Sequence, residues 1–506
     1  MKQTFAVIGF SYMLGLIFLN FIFEDCCVQF SVIIVFLLIA ALSVRSARKE
    51  KEIPVALITI LISIAVFSAV KTYSYAPAIK YADTRCNITA TVIERLSDSS
   101  SGNRCYKIKT NSVNDENVEL DLYLYTPYDI CADPYDEIEF SSYLFALGEE
   151  ENGTRRHFRS KGIYLGAYTK YDIFIHKTES KPFLYHFQKF KTDSMDIISD
   201  MLDGEKAGFA SGILFGDKVL ISDETLADFS KSGVSHILAV SGLHMSVWVF
   251  GLYHLLKKFR TKDKTAALIC IVLSFALVCI TSFSPSVLRS AIMTDIYFAS
   301  SLFKRKSDPL NSLGTAVFFI CLTNPFIVGN ISFLMTVFAT LGIIMSAELQ
   351  KEVNLKIANR KGEKIIKYVL SGIIVSFFAS LFVFPITVNV FGVISNLNWL
   401  TNLLILPALT PCMFFSGALI AYPSFDIITY PLKKVLNILI GYVLTCVSII
   451  AKIPFSFTQT ENIILCKVLP IAIALIIFLI YNVRKKSFSV TSLSCFLGIS
   501  VVTVFI

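Results

Sequence analysis

Long apolar runs, each about the length a helix needs to cross a bilayer, recur along the chain and are separated by short polar stretches. Three come first, near residues 5–23, 28–44 and 54–71. After a long polar interval the others follow near 234–256, 266–283, 285–303, 309–323, 331–346, 366–390, 401–422, 435–455, 464–483 and 488–506. In hydrocarbon every backbone amide must bond within its own segment, so such runs are predicted helices. The pattern predicts a polytopic α-helical membrane protein of about thirteen spans. The first run, Phe5 to Phe23, ends at Glu24-Asp25-Cys26-Cys27 without a small-x-small cleavage site and reads as an anchor.

Between Tyr75 and Pro182 the period changes to two. Val118, Leu120, Leu122 and Leu124 alternate with Glu119, Asp121, Tyr123 and Tyr125, the pattern of a half-buried strand. Similar runs at 87–93, 104–110, 137–145 and 163–175, separated by Gly, Asn and Asp-Pro turns, make about five short strands. That count fits a small barrel of the OB type. Phe183 to Leu202 then alternates at helical spacing and predicts an amphipathic helix at the membrane surface. A second helix is expected over 206–215, ending at Gly216, and a third is capped by Ser222 with Asp223 and Glu224 in its first turn. The expected organisation is a three-span anchor over 1–74, an extracytoplasmic β domain over 75–182, interfacial helices over 183–233, and a multi-span domain over 234–506.

Composition agrees with lipid as a solvent, at 54% hydrophobic and 17% charged residues. Charge adds orientation. Basic clusters at Arg45 to Lys51, Lys257 to Lys264, Lys304 to Lys306, Lys351 to Lys367, Lys433-Lys434 and Arg484 to Lys486 all fall on one side of the threading, which the positive-inside rule makes the cytoplasm. The N-terminus is then inside and residues 75–233 are outside a bacterial cytoplasmic membrane.

The β domain is acidic, with thirteen Lys and Arg against seventeen Asp and Glu from Ile79 to Pro182. Its basic stretch is Arg155, Arg156, Arg159 and Lys161. With Tyr143 and Phe145 nearby, this could form a single-strand nucleic-acid surface; the alternative is a solvated basic loop on an ordinary module. Cys86, Cys105 and Cys131 in an oxidising compartment allow one disulfide, with Cys86 to Cys131 the first choice and Cys105 to Cys131 the second.

The multi-span domain opens on Gly233-Val234-Ser235-His236-Ile237-Leu238-Ala239-Val240-Ser241-Gly242-Leu243-His244. Two histidines and two serines where a span begins are costly unless partnered or facing water, so they predict a cavity or pore wall. On one continuous helix His236 and His244 would share a face two turns apart, too distant for one metal. Ser241 and His244 could touch, but a hydrolytic dyad also needs an oxyanion hole. Arg289 near a span's outer end suits either a phosphate contact or a structural bond to a carbonyl or carboxylate. Asn330, Asn396, Asn398 and Asn402 suit interfacial caps, with pore lining as the alternative.

These residues carry a family resemblance. Leu-Phe-Gly-Asp at 214–217, then Phe229, Gly233, His236 and Ala239 to His244, resemble the ComEC competence-protein family. Pro285-Ser286 with Arg289, Asn324-Pro325, Thr340-Leu341-Gly342, Pro385, Phe391-Gly392 and Asn402-Leu403-Leu404 with Pro407 continue the match. Pro134-Tyr135-Asp136 stands where that family has Pro-Gly-Asp. The resemblance implies a channel for one strand of incoming DNA, without catalytic residues, cofactor or metal, with Ser235, His236, Ser241, His244, Ser286, Arg289 and Asn402 as channel candidates. It implies a separate cytoplasmic ATP-driven motor and an outer DNA receptor, consistent with the absence of a Gly-x4-Gly-Lys-Ser/Thr loop. The six histidines form no His-x-His-x-Asp-His cluster, so the family's metallo-β-lactamase-like domain is not expected in this polypeptide. The competing expectation is a transporter or membrane-assembly protein for another polar solute.

Overall fold

The computed structural model describes residues 3–21, 52–96, 102–148, 154–178, 181–357, 363–459, 471–472 and 490–505. The expected spans near 28–44 and 464–483 fall outside these. Among the described residues, seven helices are long and apolar enough to cross a membrane. They are α1 (Thr4–Phe21), α2 (Glu52–Ile79), α8 (Asp263–Ile280), α11 (Ile331–Ile357), α12 (Glu363–Phe391), α13 (Asn398–Ala421) and α14 (Asp426–Lys452). Shorter or more polar helices complete the bundle: α7 (Gly242–Lys258), α9 (Pro285–Leu302), α10 (Pro309–Thr323) and α15 (Val490–Phe505).

The chain between α2 and the bundle forms a closed barrel. Strands β1 (Arg85–Leu96), β2 (Arg104–Val113), β3 (Asp121–Thr126), β5 (Leu165–Tyr168) and β4 (Glu137–Ala146) are neighbours in that order, and β4 pairs back with β1. Only β3 and β5 run parallel, the OB arrangement expected from the strand count. Alternation supplies the core, since Ile88, Ala90, Val92, Ile108, Leu122, Leu124, Ile138, Phe140 and Leu144 all point inward.

Two strand expectations are corrected. The run from Val118 begins as strand only at Asp121, because the Thr110 hydroxyl occupies the ladder position, donating to Val118 O and accepting from the Leu120 amide. The run from Ile163 to Ile175 is split. Thr169 accepts from the Tyr171 amide, turning the chain out of β5, and β6 (Phe174–His176) pairs instead with the start of β4. At Pro134-Tyr135-Asp136 the tyrosine has φ +66°, the left-handed conformation that glycine adopts without strain.

The barrel rests on the bundle at two places. Its helix α3 (Thr154–Ser160) sits on the 3-10 turn Pro325–Gly329 between α10 and α11, where Asn324 donates to Ser160 O at 2.7 Å. Tyr75, Tyr164 and Phe326 form an aromatic cluster beside it. The second footing is α4 (Phe183–Met201), amphipathic as expected. Lys191 on α4 pairs with Glu94 of β1 at 2.6 Å, while buried Gln188 reaches Cys279 O and Ser282 at the end of α8. Lys181, just ahead of α4, pairs with buried Asp136. Burial opposes ionisation of Asp136, but Lys181 and the amides of Thr178 and Asp133 hold its carboxyl below the usual range.

The helices sort into three apolar clusters. One joins α1, α2, α10, α11 and α15 with Phe382 and Ile386 of α12. A second joins α4, α5 (Gly204–Phe215), α6 (Asp223–Lys231), α13 and α14. The third comprises α7, α8 and α9. Helix α5 was expected at the interface; eight of its twelve residues are buried, and its small residues let it pack among α6, α13 and α14 instead. Its end at Gly216 (φ +80°) and the Ser222 cap on α6 are as expected.

Candidate functional site

The signature run occupies the place where these clusters meet. Helix α6 ends at Lys231, and Gly233 follows with φ +77°. A Cβ on Gly233 would lie 2.6–2.7 Å from atoms of Asn398 and Ser395, so only glycine fits between the turn and the start of α13. Residues Ser235–Leu238 form a 3-10 turn with Ile237 and Leu238 buried. Ala239 is extended (ψ 134°), as is Ser241 (φ −122°), so the expected continuous span over 234–256 is broken and α7 starts only at Gly242. His236 and His244 therefore share no helix face. Ser235 and His236 are exposed to solvent.

Ser241 caps α7. Its side chain accepts from the amide of His244, and its own amide donates to His244 Nδ1 at 2.8 Å, with the hydroxyl 3.2 Å from the same nitrogen. The Ser241–His244 contact is thus a reciprocal helix cap. Accepting at Nδ1 leaves the proton of the neutral ring on Nε2, and this atom is buried with no protein partner.

Arg289, on the second turn of α9, is 5% exposed. It donates from Nη1 to Thr336 O of α11 at 3.0 Å and from Nη2 to Ser290 Oγ at 2.9 Å, while Nε finds no partner. Among the described residues no carboxylate pairs with it. Ser286 touches Thr336 Oγ1 at 3.2 Å. A Cβ on Gly242 would lie 2.8 Å from Arg289 Nη2 and 2.6 Å from Ser290 Oγ, so the first turn of α7 lies directly against the guanidinium. Two helix N-termini and one guanidinium converge here, each favouring negative charge.

A second polar seam separates α12 from α13. Asn398 donates to Ser380 at 2.6 Å; Asn402 is buried with Oδ1 unpartnered, as is Ser395 Oγ. By contrast Asn330 is the cap expected of it, accepting from the Phe333 amide, whereas Asn396 caps no helix and ties the segment before α13 to the segment after α14 by donating to Phe455 O and Thr458.

The basic stretch of the barrel is placed differently from expectation. Arg155, Arg156 and Arg159 lie on α3, packed between barrel and bundle. Arg155 donates to Gly148 O, Arg156 covers the Phe21 ring at 4.9 Å, and buried Arg159 covers Tyr75 at 4.2 Å while donating to its hydroxyl. Arg156 and Arg159 fasten the barrel to the bundle, and Arg155 bonds within the barrel. Phe145 stacks on Tyr125 in the small core under α3, whereas Lys161 just beyond that helix stays accessible. On the same helix, burial and then Lys161 pull His157 down from 6.5 to about 4. The unfolded chain thus binds a proton that the folded chain refuses between those values, so stability is expected to fall as pH drops below 6.5. At pH 5 the loss should be about 1–2 kcal/mol, read as a melting temperature lower by about 2–4 °C for the purified full chain; His157→Gln should flatten that dependence.

Cys86 and Cys131, the first disulfide choice, are separate thiols. Cys86 faces the barrel core, where Thr84 and Asn114 approach its sulfur at 3.3 and 3.4 Å, and Cys131 is exposed in the loop before β4. Cys105 lies in the core on the barrel's other side.

An unanticipated row lies on the barrel's open surface. Arg85, Tyr143 and Tyr168 are cross-strand neighbours on β1, β4 and β5. Arg85 covers the Tyr171 ring at 5.5 Å and Lys170 approaches Tyr168 at 5.8 Å; Tyr143 is 49% and Tyr171 67% exposed. The tyrosine spacing Tyr168-x-x-Tyr171 was a weak signal in the sequence. Tyr143 is already a candidate from the sequence; only strand register sets Arg85 and Tyr168 beside it.

Comparison with known proteins decides what kind of chain carries this site. The Competence protein family model matches residues 213–485, more than half of the chain, from α5 through α14 and beyond. The chain belongs to this family, the ComEC competence proteins. ComE operon protein 3 of Bacillus subtilis (strain 168) is 25% identical over 236 residues, 47% of this chain. That stretch spans 29% of the relative's length. No solved structure matches. The family match contains the signature turn, Arg289, Thr336, Asn398 and Asn402, while the barrel precedes it.

Proposed function

We propose that this competence protein passes a single strand of DNA through the cytoplasmic membrane during natural transformation, along the polar seams between its apolar clusters. The observation that carries this reading is Arg289. An ionised guanidinium withdrawn from water costs several kcal/mol unless compensated, and here a carbonyl and a hydroxyl are its only partners among the described residues. A phosphodiester supplies the missing charge. The first turns of α7 and α9 add donors on the same side, and His244 Nε2 offers another.

The geometry suits passage better than bond cleavage. Ser241 and His244 are occupied in capping α7, and their mutual fixing holds the helix start against Arg289. His236, Ser235 and Asn402 offer weak, exchangeable polar contacts beside one strong site. Binding that admits a charged polymer must also release it. In this reading the N-terminus is cytoplasmic and the barrel lies outside, with a separate ATP-driven motor pulling from within and an outer receptor delivering DNA.

On the barrel the receiving surface is the row Arg85, Tyr143, Tyr168, Lys170 and Tyr171, where bases stack on tyrosines and cations meet phosphates. It replaces Arg155, Arg156 and Arg159 in that role. Because Tyr143 and Tyr171 project from the surface, Tyr143→Ala with Tyr171→Ala should leave folding intact. It should weaken binding of an oligothymidine to the purified chain about tenfold, at one or more lost stacking contacts. Unchanged affinity in a fluorescence anisotropy titration would remove this face from the path. The pathway itself is tested by transformation frequency in cells whose only copy carries Arg289→Gln.

A further inference from the structure

We infer that the bundle holds an anionic phospholipid by its phosphoglycerol headgroup, in a cleft at the end of α11 and α12 remote from the barrel. The inference is independent of the DNA reading. Along most of their length these two helices touch closely; a Cβ on Gly342 would meet Phe378 O at 2.5 Å. Towards the basic end they part around a cleft of about 440 Å³ lined by Ala347, Gln350, Lys351, Asn354, Leu355 and Lys367.

Depth identifies the surroundings. Twenty residues separate Ile331 from Lys351, about 30 Å of helix, and twenty-four separate Lys367 from Phe391, about 36 Å. Both lysines therefore stand one hydrocarbon thickness from the barrel end, in the headgroup layer of the leaflet that the positive-inside rule makes cytoplasmic.

The lining matches one chemistry. Among the described residues no carboxylate pairs with Lys351, whereas Lys367 is bonded to Glu363 one turn away. The Oδ1 of Asn354 is buried without a donor, and Gln350 is turned to Ser346. A phosphodiester between the two lysines satisfies the cations, and the glycerol hydroxyl of the same headgroup can donate to Asn354. The acyl chains then run along Ala347 and the exposed face of Tyr368, both on the hydrocarbon side of the lysines. A zwitterionic headgroup would bring its own cation against Lys351.

Native mass spectrometry of the full chain, released from vesicles of equal phosphatidylglycerol and phosphatidylethanolamine, reads the preference directly. Phosphatidylglycerol should be retained over phosphatidylethanolamine by about fivefold or more, the contribution expected of one lysine at the surface. Lys351→Gln should bring the ratio close to one, Lys351→Arg should keep it, and Lys433→Gln with Lys434→Gln, at another basic helix end, should leave it unchanged. Lys351 is exposed and unpaired, so its replacement should not disturb folding. An unchanged ratio in Lys351→Gln, or an equal loss in the Lys433 and Lys434 variant, would overturn the assignment. Displacement of the lipid by sn-glycerol 3-phosphate or inorganic phosphate at millimolar concentration would assign the cleft to a soluble phosphate and overturn the lipid.

Discussion

Replacing Arg289 with glutamine is expected to lower transformation roughly 100-fold or more while leaving the protein at least as stable as the parent. The two halves of this expectation have one cause. The guanidinium is buried without a carboxylate among the described residues, and a shorter neutral side chain avoids its desolvation cost, which amounts to several kcal/mol. Thr336 O keeps the Thr340 hydroxyl as a donor, so the carbonyl is not left without a partner. What disappears is the charge that meets a phosphate, together with charge-assisted hydrogen bonds worth about 1.5–3 kcal/mol each. About 3 kcal/mol corresponds to roughly 100-fold. Arg289→Lys should fall between the two, since it keeps the charge but cannot present a fork to Thr336, Ser290 and a phosphate together. Membrane abundance by immunoblot and melting temperature in detergent separate this outcome from misfolding. A variant that loses both stability and transformation would make Arg289 a structural strut.

Gly233→Val is expected to do the opposite, removing folded protein from the membrane. Valine at φ +77° costs about 1–2 kcal/mol in backbone strain. Its side chain must also displace Asn398 and Ser395, whose atoms stand within 2.7 Å of the added carbon, at about 1–3 kcal/mol for overpacking. The sum, about 2–5 kcal/mol, is a large share of the stability of an ordinary domain. The variant should show strongly reduced abundance, or a melting temperature lower by roughly 5 °C or more. Gly233→Ala carries the same backbone strain with less bulk and should lie between. Abundance and melting equal to the parent in Gly233→Val would mean that the signature turn is not wedged against α13.

Much of the architecture was legible because it follows from periodicity and solvent. Apolar runs of bilayer length became α2, α8 and α11 to α14, and the change to period two marked the barrel. Ser222 and Gly216 ended their helices by local chemistry alone. Other features depend on contacts distant in sequence. The signature run looked like the start of a span because its residues are mostly apolar. Ser241 instead takes the cap position and breaks the run into a 3-10 turn and a later helix, so the shared face for His236 and His244 vanished. Arg155, Arg156 and Arg159 looked like a charged surface, since nothing in the sequence reveals that α3 lies against Pro325–Gly329 and Tyr75. The barrel's exposed row was hidden for a related reason, because the adjacency of Arg85, Tyr143 and Tyr168 is a matter of register. Ser290 and Thr336 were overlooked as common polar residues in spans and gain meaning only from their bonds to Arg289. Ser380 is equally silent in the sequence and gains its place only from the bond that Asn398 donates to it between α13 and α12.

The central claim is that DNA in transit touches the Arg289 site. It is tested most directly by placing a photo-crosslinking residue at Ser286, one turn from Arg289, and illuminating cells during uptake of end-labelled DNA. The expected result is a covalent adduct between this chain and single-stranded label that forms only while uptake is under way and is lost in the Arg289→Gln background. Full uptake with no adduct at Ser286, in cells that do crosslink label elsewhere on the chain, would contradict the account.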